Sequence, residues 1–202
     1  TVGEMQAAVC EADMAGKYVL AHCHTSPSVK NALAAGVRSI EHGSILDEET
    51  AKGIVEHGAF MVPTLLVMDV LAKSAEAGDI PHYAQMKLRQ VHTQMPVSVD
   101  LAAQAGVALG SGTDILGARQ SGRGAELSLK ARVIGPMNAI LSATSTNARL
   151  FRMEDRIGRV KEGMEADLIA IAGDPLGDIN VLADGGNVRL VVKGGQVVKE
   201  TI

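Results

Sequence analysis

The chain has 202 residues, 47% of them hydrophobic and 2% aromatic, with 19 Lys and Arg against 23 Asp and Glu for a formal charge of −4 at pH 7. That length suffices for one large domain or two small ones, and the apolar content excludes wholesale disorder. The acidic balance and the shortage of aromatics exclude a basic nucleic-acid footprint and a base-stacking platform, and no apolar run approaches the ~20 residues that span a bilayer. Cys10 and Cys23 do not make a disulfide framework. The chain opens at Thr1 with no signal peptide, so the expectation is a cytoplasmic protein, with an upstream leader left open.

Residues 4–16 carry apolar side chains at helical spacing and stop at Gly16. Residues 18–21 (YVLA) read as a short strand, followed by the polar cluster His22-Cys23-His24-Thr25-Ser26-Pro27. Pro27 and Ser28 open a helix that ends at Gly36. Residues 37–41 are strand-like, with His42-Gly43 directly after them. Asp47 suits the N-cap of a helix through His57, and Glu48 and Glu49 suit its positive end. Residues 60–66 predict a third strand, and residues 69–106 a mostly helical stretch broken by Pro81 and Pro96. A fourth strand over 107–110 leads into Ser111-Gly112-Thr113-Asp114, and residues 125–135 and 137–149 predict two more helices. Strands alternating with helices predict a parallel sheet with helical crossovers. From about residue 155 the pattern changes to short β-branched runs at 157–160, 166–172, 188–192 and 196–198, set apart by Gly-rich turns. The organisation expected is therefore an α/β part over 1–154 and a small β module over 155–202.

Polar residues sit at the carboxyl end of three of the four strands, the edge at which parallel α/β architectures bind ligands. His22 and His24, two apart in a strand, share a face, with Cys23 on the other, toward the helical layer. His42 ends the next strand and Asp114 follows the fourth. Two or three imidazoles and one carboxylate at one rim make a Zn²⁺ site, in which the Asp can also take a proton from a metal-held water. A single strand-end His is more often a hydrogen-bonded structural group; three at one rim in consecutive units shift the balance toward metal. His57, His82 and His92 read as solvated, and the methionines as core filler. Arg119 and Arg123 follow Asp114 in a Gly-rich loop, where a solvated reading outweighs a contact to a substrate carboxylate. The Gly110–Thr113 run lacks the Lys of a phosphate-binding loop, and no GxSxG elbow occurs.

The segments AHCH (21–24), SIEHG (39–43), VPTL (62–65) and GSGTD (110–114) resemble the later strands of the amidohydrolase superfamily. The tail IGRVKEGMEADLIAIAGDPL (157–176) with VRLVVKGGQVV (188–198) resembles the returning β-sandwich segment of those enzymes. The flavour is that of the imidazolonepropionase-related branch, with its Xaa-Pro dipeptidase (prolidase-like) members. Each motif is weak alone; in order and over nearly the whole chain they are specific. The resemblance implies the C-terminal half of a (β/α)₈ TIM barrel (strands five to eight) plus the C-terminal strands of a small β-sandwich. It implies that His22 and His42 bind metal, that Asp114 binds metal and acts as general base and acid, and that His24 contacts substrate. It implies one or two divalent ions, zinc first, and hydrolysis of a C–N bond in a dipeptide or small cyclic amide.

The departures define the alternatives. The family's first His-X-His and its strand-four Lys are absent; Lys17 and Lys30 fit neither role. A half barrel leaves the strands at 18–21 and 107–110 as open edges, which predicts a homo-oligomer or association with the missing N-terminal half. The competing readings are a non-catalytic fragment or assembly subunit and a deaminase of the same superfamily.

Overall fold

Strand and helix alternate through the first part of the computed structural model, which describes residues 1–117 and 122–201. The chain divides into two units, Thr1–Gly112 and Thr113–Ile202. The first unit runs α1 (Val2–Met14), β1 (Leu20–Thr25), α2 (Ser26–Ala34), β2 (Ser39–Ile45), α3 (Glu48–Glu56), β3 (Phe60–Val62), α4 (Leu65–Glu76), α5 (His82–Ala105) and β4 (Ala108–Leu109). Its four strands form a parallel sheet in the order β1-β2-β3-β4. The expected parallel α/β arrangement is present.

The sheet's two faces carry different rows. In the ladder Ala21 pairs with Ile40, Ile40 with Met61 and Met61 with Leu109. This row belongs to the core, which it shares with Val29 of α2, Ile54 of α3 and Met95 and Val99 of α5, all buried. Cys23 lies on the same face, its Sγ 3.6 Å from the Ser28 carbonyl oxygen in α2, and burial pushes its thiol up. It is an inert core thiol. The opposite face carries the rows Leu20–Ser39–Phe60 and His22–Glu41–Val62. There Leu20, on the β1 edge, is 52% exposed.

Three boundaries differ from the sequence expectation. β1 and β2 extend through the histidines to Thr25 and Ile45. β3 stops at Val62, because Pro63 has no N–H to donate and Leu65 and Leu66 begin α4 instead. α5 runs unbroken through Pro96. Its buried residues Val91, Met95, Ser98, Val99 and Ala102 keep helical spacing on both sides of the proline, so packing offsets the lost backbone bond. Ser98 also anchors the helix to the end of β2: its hydroxyl donates to the Ser44 carbonyl (2.8 Å) and accepts from Leu46 N–H (2.9 Å).

The second unit contains α6 (Ala125–Ile134), α7 (Pro136–Leu141), a π-helical turn (Ser142–Thr146) and α8 (Asn147–Leu150). An antiparallel sheet follows, ordered β5 (Leu168–Ile171), β6 (Val188–Lys193) and β7 (Gln196–Glu200). The run at 157–160, expected as a strand, is not one. Gly158 has φ +88° and packs so closely on α8 that a Cβ would meet Ala148 Cβ at 2.7 Å, which breaks the extended path. Buried in this unit is a charged pair, Lys130 with its Nζ 3.9 Å from Glu126 Oε1 and 3.4 Å from Ser142 Oγ. Among the described residues no helix is long and apolar enough to cross a membrane.

Candidate active site

Alternation along β1 aims His22 and His24 away from the helices, opposite the buried Cys23. In the ladder His42 pairs with Cys23, so regular pleating would send it to the helical side. It does not go there. Between Cys23 and Thr25 the register slips, with two steps on β1 spanned by three on β2, from His42 to Ile45. His42 takes φ +73° and Gly43 φ +55° at this bulge. Bulges re-aim side chains, and here the His42 ring meets both β1 histidines. A side chain at position 43 would lie 2.7 Å from Met61 Cε, so the bulge also needs the missing Cβ of glycine.

The three rings form one cluster at the carboxyl end of the parallel sheet. His22 Nδ1 is 2.8 Å from His42 Nε2, and the ring centroids are 4.9 Å apart. The His24 ring stacks on His42 at 4.6 Å with a 4° interplanar angle. Each of the two inner rings is held by a hydroxyl: His42 Nδ1 lies 2.8 Å from Thr64 Oγ1, and His24 Nδ1 lies 2.9 Å from Ser44 Oγ. In the tautomer with Nδ1–H of His42 donating to Thr64, Nε2 accepts from His22 Nδ1–H; in the other, the Thr64 hydroxyl donates to Nδ1 and Nε2–H donates to His22 Nδ1. His42 is buried (4% exposed) and His22 is exposed. Glu41, beside His22 in the ladder, is half-buried; burial raises its carboxyl, opposed by the Ser39 hydroxyl, which donates to it at 2.5 Å, and by the His22 charge.

Asp114 follows β4 by five residues and falls in the second unit, exposed. At φ +53° it is, with His42 and Arg152, one of three described non-glycine residues in the left-handed region. Such conformations cost of order 1–3 kcal/mol and collect at functional sites. Arg119 lies outside the described residues, and Arg123 is exposed ahead of α6. His57 and His82 are exposed, and His92 is 44% exposed, 3.8 Å from Asp69, as solvated groups should be. Sequence reasoning gave no role to Thr64, Ser44 or Glu41. Thr64 and Ser44 had one signal, a hydroxyl one or two places past a strand-end polar residue or Pro63.

The donor set suits a divalent ion such as zinc. Two imidazole nitrogens converge, and one ring is oriented by a hydroxyl on its far nitrogen, the outer support that metal-ligating histidines usually have. Among the described residues no group of three or more His, Cys, Asp or Glu is placed to hold a metal ion; what converges is the His22–His42 pair.

A parallel sheet with helical crossovers and histidines at its carboxyl edge defines the class as an α/β protein whose candidate ligand site lies at the strand ends. The Amidohydrolase family model matches residues 1–198. The chain belongs to the amidohydrolase family, whose members are generally metal-dependent hydrolases. It is 31% identical over 198 residues to the ochratoxinase of Aspergillus niger, covering 97% of this chain and 41% of that protein. A solved prolidase complexed with N-methylphosphonate-L-proline superposes with a TM-score of 0.94 at 39% identity, over 99% of this chain and 49% of that one. A Xaa-Pro dipeptidase with methionine bound in its active site gives 0.92 at 34% identity, over 98% and 49%. The chain thus spans half or less of the length of these relatives.

Proposed function

We propose that this chain is the C-terminal half of a metal-dependent amidohydrolase that cleaves the C–N bond of a dipeptide or small cyclic amide, in the manner of a prolidase. Residues 1–154 would supply strands five to eight of a (β/α)₈ barrel and residues 155–202 the returning β-sandwich segment. The observation that carries the reading is the convergence of His22, His24 and His42 at the carboxyl end of a parallel sheet, in a family of hydrolases. The prolidase and dipeptidase likenesses favour a peptide-like substrate.

His22, His42 and Asp114 would hold one or two zinc ions. When bound, zinc lowers the pKa of water toward neutrality and polarises the scissile carbonyl. Thr64, at His42 Nδ1, holds the ring with Nε2 facing the site. Asp114 takes a proton from the attacking water on a carboxylate oxygen and delivers it to the departing amine nitrogen. His24, held by Ser44, contacts the substrate. The open β1 edge, with Leu20 exposed, suits either a second copy of the chain or an N-terminal half that continues the sheet. A cytoplasmic location completes the reading.

The test is Xaa-Pro dipeptide hydrolysis by the zinc-loaded protein, alone and together with an N-terminal half, comparing wild type with Asp114→Asn. The general-base role predicts a kcat at least about 100-fold lower with little change in KM. Asn tolerates positive φ, so the fold should persist. Equal turnover by the variant would refute the role of Asp114. Absence of both zinc and turnover in the assembled protein would leave a non-catalytic assembly subunit.

A further inference from the structure

A cavity of about 360 Å³ opens between α4 and the first turns of α5, beside the histidine cluster. It is lined by Met68 of α4, Tyr83, Ala84, Lys87, Leu88 and Val91 of α5, and His24, of which Tyr83 and Lys87 are exposed. All belong to the first unit. Its volume falls in the range of small-molecule sites, which are mostly apolar with a few placed polar groups. The composition here is of that kind. Met68, Leu88 and Val91 supply aliphatic or thioether surface, and the exposed Lys87 and Tyr83 supply one ammonium and one phenol. Neither the Lys87 ammonium nor the Tyr83 hydroxyl has a hydrogen-bond or ion-pair partner among the described residues, and Tyr83 is 85% exposed. An ammonium left unpaired above an apolar hollow matches a ligand with a carboxylate at one end and an apolar side chain beside it.

His24 fixes where that ligand points. Its ring is at once a wall of the cavity and the partner stacked on His42 at 4.6 Å. A group seated in the cavity therefore touches the ring that stacks on the candidate ligand His42. We propose that this cavity binds the carboxylate-bearing residue of the substrate. Its apolar side chain, the pyrrolidine ring of a Xaa-Pro dipeptide or a larger aliphatic or aromatic group, packs on Met68, Leu88 and Val91, and its carboxylate pairs with Lys87. The inference rests on the hydrolase reading for the word substrate; the binding itself does not require turnover.

The experiment titrates the 202-residue chain with N-acetyl-L-phenylalanine, N-acetyl-L-phenylalaninamide and N-acetylglycine, following the methyl resonances of Met68, Leu88 and Val91 by NMR. The acid of phenylalanine should shift those methyls saturably. N-acetylglycine, which buries no ring, should bind at least about tenfold more weakly. The amide should bind about threefold more weakly than the acid, as befits an exposed charge pair, and Lys87→Met should abolish that difference. Lys87 is exposed, so this variant leaves the core untouched. Absence of methyl shifts, equal binding of N-acetylglycine, or an acid–amide difference that survives in Lys87→Met would each overturn the proposal. Dipeptide turnover is measured separately on the zinc-loaded protein: binding as described without turnover would refute the hydrolase reading and keep the cavity, and turnover without these shifts would do the reverse.

Discussion

Lys130 is fully buried, and burial pushes its ammonium from 10.5 down to about 8 while the Glu126 carboxylate pulls the other way. That depression corresponds to about 3 kcal/mol of stability. Its sign follows from linkage. Below pH 8 both the folded and the unfolded chain hold the proton, and the folded chain bears the whole cost of a buried ammonium. Between pH 8 and 10.5 the unfolded chain binds more protons than the folded one, so stability rises with pH and the penalty disappears above 10.5. The comparison protein is the double variant Lys130→Met/Glu126→Gln, which removes both charges and keeps the volumes. Replacing a buried ion pair in this way is often neutral or stabilising by about 1–4 kcal/mol. Urea unfolding of both proteins at half-unit steps from pH 7 to 10.5 cancels every other titrating group in the difference. Wild type should gain about 3 kcal/mol on the double variant across that window. A flat difference would mean that the pair keeps its proton, and would refute the reasoning. Glu126→Gln alone should cost about 3–5 kcal/mol at pH 7, because it leaves the ammonium buried and unsupported.

Two further outcomes follow from the histidine cluster. Thr64→Val, which keeps shape and burial but removes the hydroxyl on His42 Nδ1, should weaken zinc binding about 10–100-fold in competition with a chromophoric chelator; unchanged affinity would show that Thr64 does not set the ring. Gly43→Ala should lose about 2–4 kcal/mol in urea unfolding, since it combines φ +55° with a 2.7 Å approach to Met61 Cε; wild-type stability would mean that Met61 swings aside.

The alternation of short apolar runs with amphipathic helices was legible because each β–α unit carries its own punctuation, such as Asp47 capping α3 through the Thr50 N–H. What was not legible depended on contacts remote in sequence. Pro96 reads locally as a break, yet Ser98, two residues on, is fixed to the Ser44 carbonyl 54 residues away, and the helix continues. Residues 157–160 read locally as a strand, and the close approach of Gly158 to Ala148 prevents it. Glu126 and Lys130 carry the i,i+4 spacing of an ordinary solvated pair; only packing distinguishes the buried case.

The site illustrates the same division at the scale of one residue. Period-two alternation put His22 and His24 on one face correctly, but applied to β2 it would have sent His42 into the helical layer with Ile40. A histidine there would have been a core residue, and the rim would have held two imidazoles. The His42-Gly43 dipeptide is the local sign that alternation fails, because two consecutive left-handed residues insert a bulge and turn the ring across the sheet. The strain at His42 is thus what joins the second strand to the cluster on the first. A change that relaxed it to regular pleating would separate His42 from His22 while leaving every other strand of the sheet in place.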